Sequence, residues 1–249
     1  MIVLVTGASS GFGEEIARRF SREGHRVIAA ARRVDRLSRL REEIGESLLP
    51  LRIDVTDKAS IDAGLASLPK DWTPVDILVN NAGLALGIEP AHFASLEEWE
   101  TMIDTNNKGL VRMTRALLPD MVARNAGHIV NIGSVAGESP YPGGNVYGAT
   151  KAFVEQFTRN LKADLVGTGV RTTTIAPGLC GGTEFSNVRY RGDDAAAARV
   201  YEGAVPLTAS DIAEAVFWVA TLPPHVNINH LEMMPTCQGY NAFNVKRSG

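Results

Sequence analysis

The chain has 249 residues, of which 45% are hydrophobic and 21% are charged, and its formal net charge is -3. Because it has neither a basic stripe nor an apolar run of the roughly 20 residues that a membrane helix needs, we expect no nucleic-acid partner and no membrane span. The two cysteines, Cys180 and Cys237, cannot build a disulfide framework and the five histidines show no metal-ligand spacing, so we expect a cytoplasmic protein without a metal site.

A glycine-rich turn lies between the first predicted strand and the first predicted helix. Residues 2–6 form an apolar, β-branched run that is typical of a strand buried on both faces of a parallel sheet. Residues 14–23 carry apolar side chains at helical spacing. A turn in this position brings backbone N–H groups and a helix N-terminus up to a pyrophosphate, so it predicts a dinucleotide site. The predicted binding residues are Gly7, Ala8, Ser9, Ser10, Gly11, Phe12 and Gly13.

Two arginines follow the second predicted strand, residues 26–31. An NAD site usually has an acidic residue here for the ribose 2′-hydroxyl, but this chain has Arg32 and Arg33. Guanidinium groups match the oxygens of a phosphate, so the pair predicts NADP as the cofactor. The alternative is a solvated pair at the start of a basic helix, because further arginines follow.

The third and fourth predicted strands, residues 49–55 and 75–79, both lead into polar or small residues. Asp54 lies at the end of the third strand and could also cap the helix that follows. The fourth strand opens into a run of two asparagines, an alanine and a glycine, where small residues let the backbone approach a flat cofactor. The predicted cofactor contacts in this run are Asn81, Ala82 and Gly83.

A serine, a tyrosine and a lysine follow the fifth predicted strand, residues 128–133. Ser134 should lie at the carboxyl end of that strand, where its hydroxyl could hydrogen-bond a substrate carbonyl. Tyr147 and Lys151 are four residues apart on a predicted helix, so they share a face. A neighbouring ammonium group lowers the pKa of a phenol, which a general acid/base working near neutral pH requires.

The rest of the chain continues the alternation of strands and helices. The remaining predicted elements are a helix over 96–118, strands over 170–175 and 231–234, and a helix over 208–222. Residues 186–206 show little periodicity, and a tail follows the last strand. We therefore expect an α/β protein with a single-domain Rossmann-type doubly wound fold over residues 1–249, in which a seven-stranded parallel sheet carries helices on both faces.

Together these motifs resemble those of the short-chain dehydrogenase/reductase family. The resemblance covers essentially the whole chain and rests on G-x-x-x-G-x-G, N-N-A-G, N-x-x-G, Y-x-x-x-K and the Pro177-Gly178 pair after the sixth strand. It implies a catalytic set of Asn106, Ser134, Tyr147 and Lys151. In this set the backbone carbonyl of Asn106, rather than that of Asn107, would hold a water that reaches the lysine.

The resemblance also implies roles around the cofactor. Asp54 and Val55 would lie beside the adenine, Lys151 would hydrogen-bond the nicotinamide ribose, and residues 177–185 would close over the nicotinamide. The cofactor contacts expected in that last segment are Pro177, Gly178 and Thr183. A substrate lid at about 183–206 and a homotetramer are further expectations, and large apolar side chains on the paired helices, such as Phe153 and Phe157, agree with the tetramer.

Within the family, five segments resemble those of bacterial NADP-dependent 3-hydroxy acid dehydrogenases: residues 80–92, 101–111, 143–154, 181–189 and 225–235. The resemblance implies hydride transfer between the nicotinamide and the 3-position of serine, allo-threonine or 3-hydroxypropionate, whose oxidation product is malonic semialdehyde, with Ser134 and Tyr147 contacting the substrate. The carboxylate of a 3-hydroxy acid needs a cation or N–H donors in the site. The candidates are Arg189, Arg191 and the Gly143-Gly144 backbone, with Arg189 favoured. The alternatives are another short-chain carbonyl or 3-ketoacyl reductase and, more remotely, a non-catalytic NADP(H)-sensing protein.

Overall fold

The computed structural model describes residues 1–240, and a parallel sheet forms its centre. In chain order the strands are β1 (Ile2–Thr6), β2 (Arg26–Ala31), β3 (Leu48–Arg52), β4 (Ile77–Asn80), β5 (Gly127–Ile132), β6 (Val170–Pro177) and β7 (His230–Met233). Their order across the sheet is β3-β2-β1-β4-β5-β6-β7, with every neighbouring pair parallel. The predicted Rossmann-type, seven-stranded parallel fold is therefore confirmed.

Helices cover both faces of the sheet. In chain order they are α1 (Gly11–Arg22), α2 (Val34–Ile44), α3 (Lys58–Ala66), α4 (Leu96–Ile103), α5 (Leu110–Ala123), α6 (Asn145–Asp164), α7 (Phe185–Arg189), α8 (Asp194–Arg199) and α9 (Ala209–Thr221). On one face Phe20 of α1, Leu37 of α2 and Val216 of α9 are fully buried. On the other, α3, α5 and α6 contribute a second core. None of the helices within residues 1–240 is long and apolar enough to cross a membrane.

Some elements differ from the sequence predictions. The helix predicted over 96–118 consists of α4, a π-helical turn over Asp104–Gly109 and α5. It continues past Pro119 to Ala123 because fully buried Met121 packs against the sheet. The segment predicted to be irregular contains α7 and α8, and the Asp193 carboxylate starts α8 by accepting a hydrogen bond from Ala196 N at 2.9 Å. The tail predicted after β7 runs beyond the described residues.

The order of the strands creates a crevice at their carboxyl ends. β1 lies between β2 and β4, so the chain crosses over in opposite directions on its two sides, and ligands bind at such a switch point. The turn after β1 and the turn after β4 meet there. The Asn81 side-chain amide donates to Thr6 O at 2.9 Å, and the Asn81 backbone N–H donates to Thr6 Oγ1 at 3.0 Å. These contacts place the two cofactor motifs side by side.

Candidate active site

A cavity of about 690 Å³ opens at this crevice. Among the residues predicted for the site, Ala8, Gly13 and Asn106 do not line the cavity wall. The others line it: Gly7, Ser9, Ser10, Gly11, Phe12, Arg32, Arg33, Asp54, Val55, Asn81, Ala82, Gly83, Ser134, Tyr147, Lys151, Pro177, Gly178 and Thr183. The fold thus gathers residues from nearly the whole chain into one elongated pocket.

The glycine-rich turn forms one wall of the cavity from backbone. Gly7 and Gly11 have φ angles of 67° and 56°, a region that L side chains rarely adopt. Gly13 has no room for a side chain, because a Cβ there would lie 2.5 Å from the Asn81 amide nitrogen and would also clash with Gly7 O. This wall therefore presents N–H groups and the start of α1 to the cavity, as a pyrophosphate requires.

The arginines after β2 lie at the outer end of the cavity, in different environments. Arg33 donates through Nε to Ser9 Oγ at 3.1 Å and through Nη2 to Ser10 Oγ at 2.7 Å. Its remaining amino group, Nη1, contacts Glu184 Oε2 at 2.9 Å. Arg32 is exposed, and its side chain makes no hydrogen bond or salt bridge within residues 1–240. Two hydroxyls and two guanidinium groups thus surround the position expected for a ribose 2′-phosphate.

Glu184 is a site residue that the sequence analysis missed. Its carboxylate bridges Arg33 and Arg36, the latter at 2.7 Å. Hydrogen bonds from Arg36 and Arg33 lower the pKa of Glu184 to about 2, so it is a carboxylate at neutral pH. No spacing signal could have found it, because it lies 151 residues from Arg33 in sequence. The bridge fastens the start of the segment 183–206 to the cofactor end of the cavity.

The hydrogen bonds of Asp54 exclude one of its two predicted roles. The Asp54 carboxylate accepts from Thr56 N at 2.9 Å and from Thr56 Oγ1 at 2.7 Å, which closes the turn after β3. It does not cap α3. That cap is Asp57, whose carboxylate accepts from Ala59 N at 2.9 Å. Because β3 ends at Arg52, Asp54 lies in the loop and is free to line the pocket.

Three predicted catalytic side chains meet at the inner end of the cavity. Ser134, just after β5, accepts from Ala136 N at 3.1 Å and donates to Pro177 O at 3.4 Å. Tyr147 and Lys151 project from the first turns of α6. The Lys151 ammonium donates to Ile132 O at 2.9 Å and lies 5.8 Å from the centre of the Tyr147 ring. All three side chains are buried, so water has little access to them.

The protonation behaviour of this group differs from the sequence prediction. Burial raises the pKa of Tyr147 above its ordinary value, and a hydrogen bond with Ser134 and the charge of Arg189 offset this only in part. Burial lowers the pKa of Lys151 to about 8. The i,i+4 spacing did place the two groups together, but the direction predicted for the tyrosine pKa is wrong in this environment. The physical reason is that Lys151 points at a backbone carbonyl and that both groups lie in the same poorly hydrated pocket.

Asn106 does not line the cavity, but it connects two segments that carry the site. It is 2% exposed and lies in the π-helical turn between α4 and α5. Its Oδ1 accepts from Leu84 N at 2.9 Å, while its Nδ2 donates to Leu84 O at 2.9 Å and to Thr150 Oγ1 at 3.0 Å. The side chain therefore clamps the loop after β4 to α6. Asn107 extends this clamp by donating to Thr150 O at 2.9 Å.

The two candidate anion-binding arginines differ in where they point. Arg189, on α7, lines the cavity with its guanidinium 5.8 Å from the centre of the Tyr147 ring, and it donates to Gly143 O at 3.3 Å. Arg191 faces away and binds the carboxylates of Glu89, at 2.7 Å, and Glu98, at 2.6 Å. Of the two, only Arg189 is placed to meet a ligand beside the tyrosine.

Aromatic residues that the sequence analysis did not assign complete the inner end of the cavity. The Phe185 ring lies 5.7 Å from the Tyr147 ring, and Tyr141 stacks under the Arg189 guanidinium at 5.3 Å. Their segments have no periodicity, so no sequence signal marked them. Both aromatic residues line the cavity beside Tyr147, as do several residues of the segment 183–206.

Comparison with known proteins identifies the family. A model of the short chain dehydrogenase family matches residues 1–193. The chain belongs to the short-chain dehydrogenase family. This short-chain dehydrogenase is 65% identical over 247 residues to the NADP-dependent 3-hydroxy acid dehydrogenase YdfG of Escherichia coli (strain K12), an alignment that covers 99% of this chain and 100% of the relative. It is 49% identical to the serine 3-dehydrogenase of Agrobacterium fabrum, with 98% of each chain covered.

Solved structures resemble this short-chain dehydrogenase to different degrees. A closed form of serine dehydrogenase complexed with NADP+ superposes with a TM-score of 0.99 at 64% identity, covering 100% of both chains. A 3-ketoacyl-(acyl-carrier-protein) reductase from Brucella melitensis complexed with NADH gives a TM-score of 0.81 at 30% identity, covering 92% of this chain and 95% of the other. The backbone is thus much more similar to that of the serine dehydrogenase than to that of the ketoacyl reductase.

Proposed function

We propose that this short-chain dehydrogenase is an NADP-dependent 3-hydroxy acid dehydrogenase. The observation that carries the proposal is one cavity with a glycine-walled, arginine-edged outer end and a buried Ser134–Tyr147–Lys151 group at its inner end. The 65% identity to a relative named for this activity supports the substrate class. Serine, allo-threonine and 3-hydroxypropionate are the proposed substrates, with malonic semialdehyde as the oxo acid formed from the last.

The residues present fit the proposed cofactor. The missing side chains at Gly7 and Gly13 leave room for a pyrophosphate against the start of α1. Arg32 and Arg33 would hold the 2′-phosphate, Asp54 and Val55 would flank the adenine, and Asn81, Ala82 and Gly83 would pass under the central part of the cofactor. Lys151 would hydrogen-bond the nicotinamide ribose, and Pro177, Gly178 and Thr183 would cover the ring. When bound, NADP supplies the group that accepts or donates the hydride.

The chain's own side chains would then handle the substrate hydroxyl and its proton. Ser134 would hydrogen-bond the substrate oxygen, and Tyr147 would accept the proton during oxidation and return it during reduction. Lys151 is protonated below its pKa of about 8, so near neutral pH it carries a positive charge 5.8 Å from the centre of the Tyr147 ring. A water held by the Asn106 carbonyl would pass the proton on from the lysine, and the side-chain clamp of Asn106 would keep that carbonyl in place.

We assign the substrate carboxylate to Arg189. The guanidinium already lies over the Tyr147 ring, within reach of a ligand whose reacting carbon is at the phenol, whereas Arg191 is engaged by two carboxylates. A guanidinium binds a carboxylate through strong, charge-assisted hydrogen bonds. The segment 183–206, which begins with Thr183 and Glu184 and carries Arg189, would act as a substrate lid.

The test of the reaction is a kinetic panel with NADP+. Serine, allo-threonine and 3-hydroxypropionate should be oxidised with higher kcat/KM than simple secondary alcohols, and a 3-ketoacyl thioester should be a poor substrate for reduction. The kcat of Tyr147→Phe should be lower than that of wild type by a factor of about 10²–10⁴ or more, while NADP+ still binds. Tyr190→Phe is the matched control, since Tyr190 does not line the cavity.

Each alternative function predicts its own result in this panel. Preferred turnover of the thioester would favour a ketoacyl reductase, and NADP+ binding without any turnover would favour a sensor. Near-normal turnover by Tyr147→Phe would mean that Tyr147 is not the acid–base residue.

The carboxylate contact has a separate test. Arg189→Ala should raise KM for 3-hydroxypropionate by roughly 10–100-fold, because a hydrogen bond to a charged group contributes about 1.5–3 kcal/mol. The same variant should change KM for 1-propanol, which lacks the carboxylate, by much less. An equal change for both compounds would mean that Arg189 shapes the lid without binding the acid.

We also propose a cytoplasmic homotetramer. Cys180 and Cys237 are both unpaired, which suits a reducing compartment. On α6 the Phe153 ring is 42% exposed and stacks on Phe157 at 5.8 Å, so a large apolar surface lies on the outside of the protomer. Light scattering at micromolar concentration should give the mass of four chains, and a monomer would contradict the proposal.

A further inference from the structure

Three potential metal ligands come together away from the cavity. Glu138 follows the short helical turn after Ser134, Glu155 lies on α6 one turn beyond Lys151, and His230 begins β7. Each offers one ligand atom, and these atoms all lie within 4.8 Å of one another. No spacing pattern in the sequence marks the cluster, because its members come from three separate elements.

The inner side of this cluster contains polar atoms without partners. Glu155 is 3% exposed, and its Oε1 has no hydrogen-bond partner among the described residues. His230 Nδ1 is likewise buried without a partner in that part of the chain. A buried polar atom without a hydrogen bond is costly, so such atoms call for an explanation. A cation between them would satisfy both.

The surrounding backbone keeps this space free of side chains. Gly137 approaches the Glu155 carboxylate so closely that a Cβ at this position would lie 2.6 Å from Oε1. Arg159 reaches the cluster only from outside, with Nη2 at 3.2 Å from Glu138 Oε1 and 3.9 Å from Glu155 Oε2. The arginine therefore compensates the outer oxygens and leaves Oε1 of Glu155 without a partner.

We propose that Glu138, Glu155 and His230 bind a divalent transition-metal ion such as Mn²⁺ or Zn²⁺. Carboxylates and an imidazole are ligands that both ions accept, and three protein ligands leave the remaining positions to water. The mixed set is less suited to Ca²⁺ or Mg²⁺, which prefer oxygen ligands alone. The ion would join β7 to α6 and to the loop that leaves Ser134, so it would stiffen the scaffold of the active site without contacting the substrate.

The test is Mn²⁺ binding to the full-length enzyme, measured by calorimetry and by the loss of the free-ion electron paramagnetic resonance signal. Wild type should bind one ion per protomer. Glu155→Gln and His230→Gln should each weaken binding at least tenfold, whereas Glu97→Gln and His225→Gln, exposed residues outside the cluster, should leave it unchanged. Glu155→Gln keeps the size and shape of the side chain, so a folding defect is not expected.

A further variant tests the proposal by an expected gain of Mn²⁺ binding. Arg159→Gln removes a cation that competes for the same carboxylates, so it should strengthen Mn²⁺ binding several-fold. Zn²⁺ should compete with Mn²⁺ for this site, and 10 mM Mg²⁺ should not. The proposal is overturned if wild type binds no Mn²⁺, if binding survives both Glu155→Gln and His230→Gln, or if Arg159→Gln weakens it.

Discussion

The preference for NADP+ over NAD+ should depend on a small set of charges at the outer end of the cavity. Arg32 has no hydrogen-bond or salt-bridge partner for its side chain within residues 1–240, whereas Arg33 already contacts Ser9, Ser10 and Glu184. The perturbations are Arg32→Ala, Arg33→Ala and the double substitution, together with Glu184→Gln. NAD+ serves as the internal control, because it lacks the phosphate that these groups are expected to bind.

The structure sets the expected magnitudes. A hydrogen bond to a charged group contributes about 1.5–3 kcal/mol, and about 1.4 kcal/mol corresponds to tenfold in affinity, so each arginine could give 10–100-fold. Solvent exposure and salt reduce this toward tenfold for each. The double variant should therefore weaken NADP+ binding about 100-fold. Glu184→Gln removes a carboxylate that competes with the phosphate. Since exposed ion pairs contribute about 0.2–1 kcal/mol, NADP+ binding should become about 1.4-fold to fivefold tighter.

The assay is a titration of each variant with NADP+ and NAD+ at one fixed salt concentration, read by calorimetry. Arg39→Ala is the matched control, because Arg39 is exposed on α2 and does not line the cavity. Equal affinity of wild type for both cofactors would refute the reasoning, as would an arginine variant that loses both cofactors equally. Weaker NADP+ binding by Glu184→Gln would mean that the carboxylate positions Arg33 and does not compete with the phosphate.

Three further predictions concern the cofactor wall, the buried lysine and the assembly. Gly13→Ala should weaken cofactor binding at least tenfold by calorimetry, because its Cβ would displace the Asn81 amide; unchanged binding would contradict the close packing. The pKa of Lys151 falls from 10.5 to about 8 on folding, so the cofactor-free enzyme should gain stability between pH 8 and pH 10.5, where the unfolded chain still holds the proton. Lys151→Met should abolish this pH dependence and, in chemical denaturation at pH 7, raise the free energy of unfolding by about 3 kcal/mol while turnover is lost. No stabilisation would mean that the ammonium is better solvated than the structure indicates. Phe153→Ser should shift the mass measured by light scattering below that of a tetramer, and an unchanged mass would place the interface elsewhere.

Features that depend on local sequence were predictable. Apolar, β-branched runs marked the inner strands β1, β4 and β5, because strands buried on both faces of a sheet leave few positions for polar residues. The glycine-rich turn was also predictable, since only glycine fits at Gly7 and Gly13. The parallel order then followed from the alternation of strands and helices, and with it the edge at which the functional residues meet.

Features that depend on tertiary contacts were not predictable. Glu184 reaches Arg33 and Arg36 only because the fold returns the chain to the end of β2. Helical spacing placed Tyr147 and Lys151 on one face but carried no information on their burial, and burial decides the direction of both pKa shifts. The same limit applied to the cluster around Glu155, whose partners lie on other elements.

The pKa shifts of the inner group connect substrate binding with proton transfer. Burial disfavours the Tyr147 phenolate, and the positive charge of Arg189 is one of the few interactions that offset it. If Arg189 binds the substrate carboxylate, that charge becomes neutralised as the substrate oxygen reaches the phenol. The pKa of Tyr147 would then rise further, which keeps the phenol protonated and able to donate its proton when an oxo acid is reduced. One guanidinium would thus position the substrate and adjust the group that exchanges a proton with it.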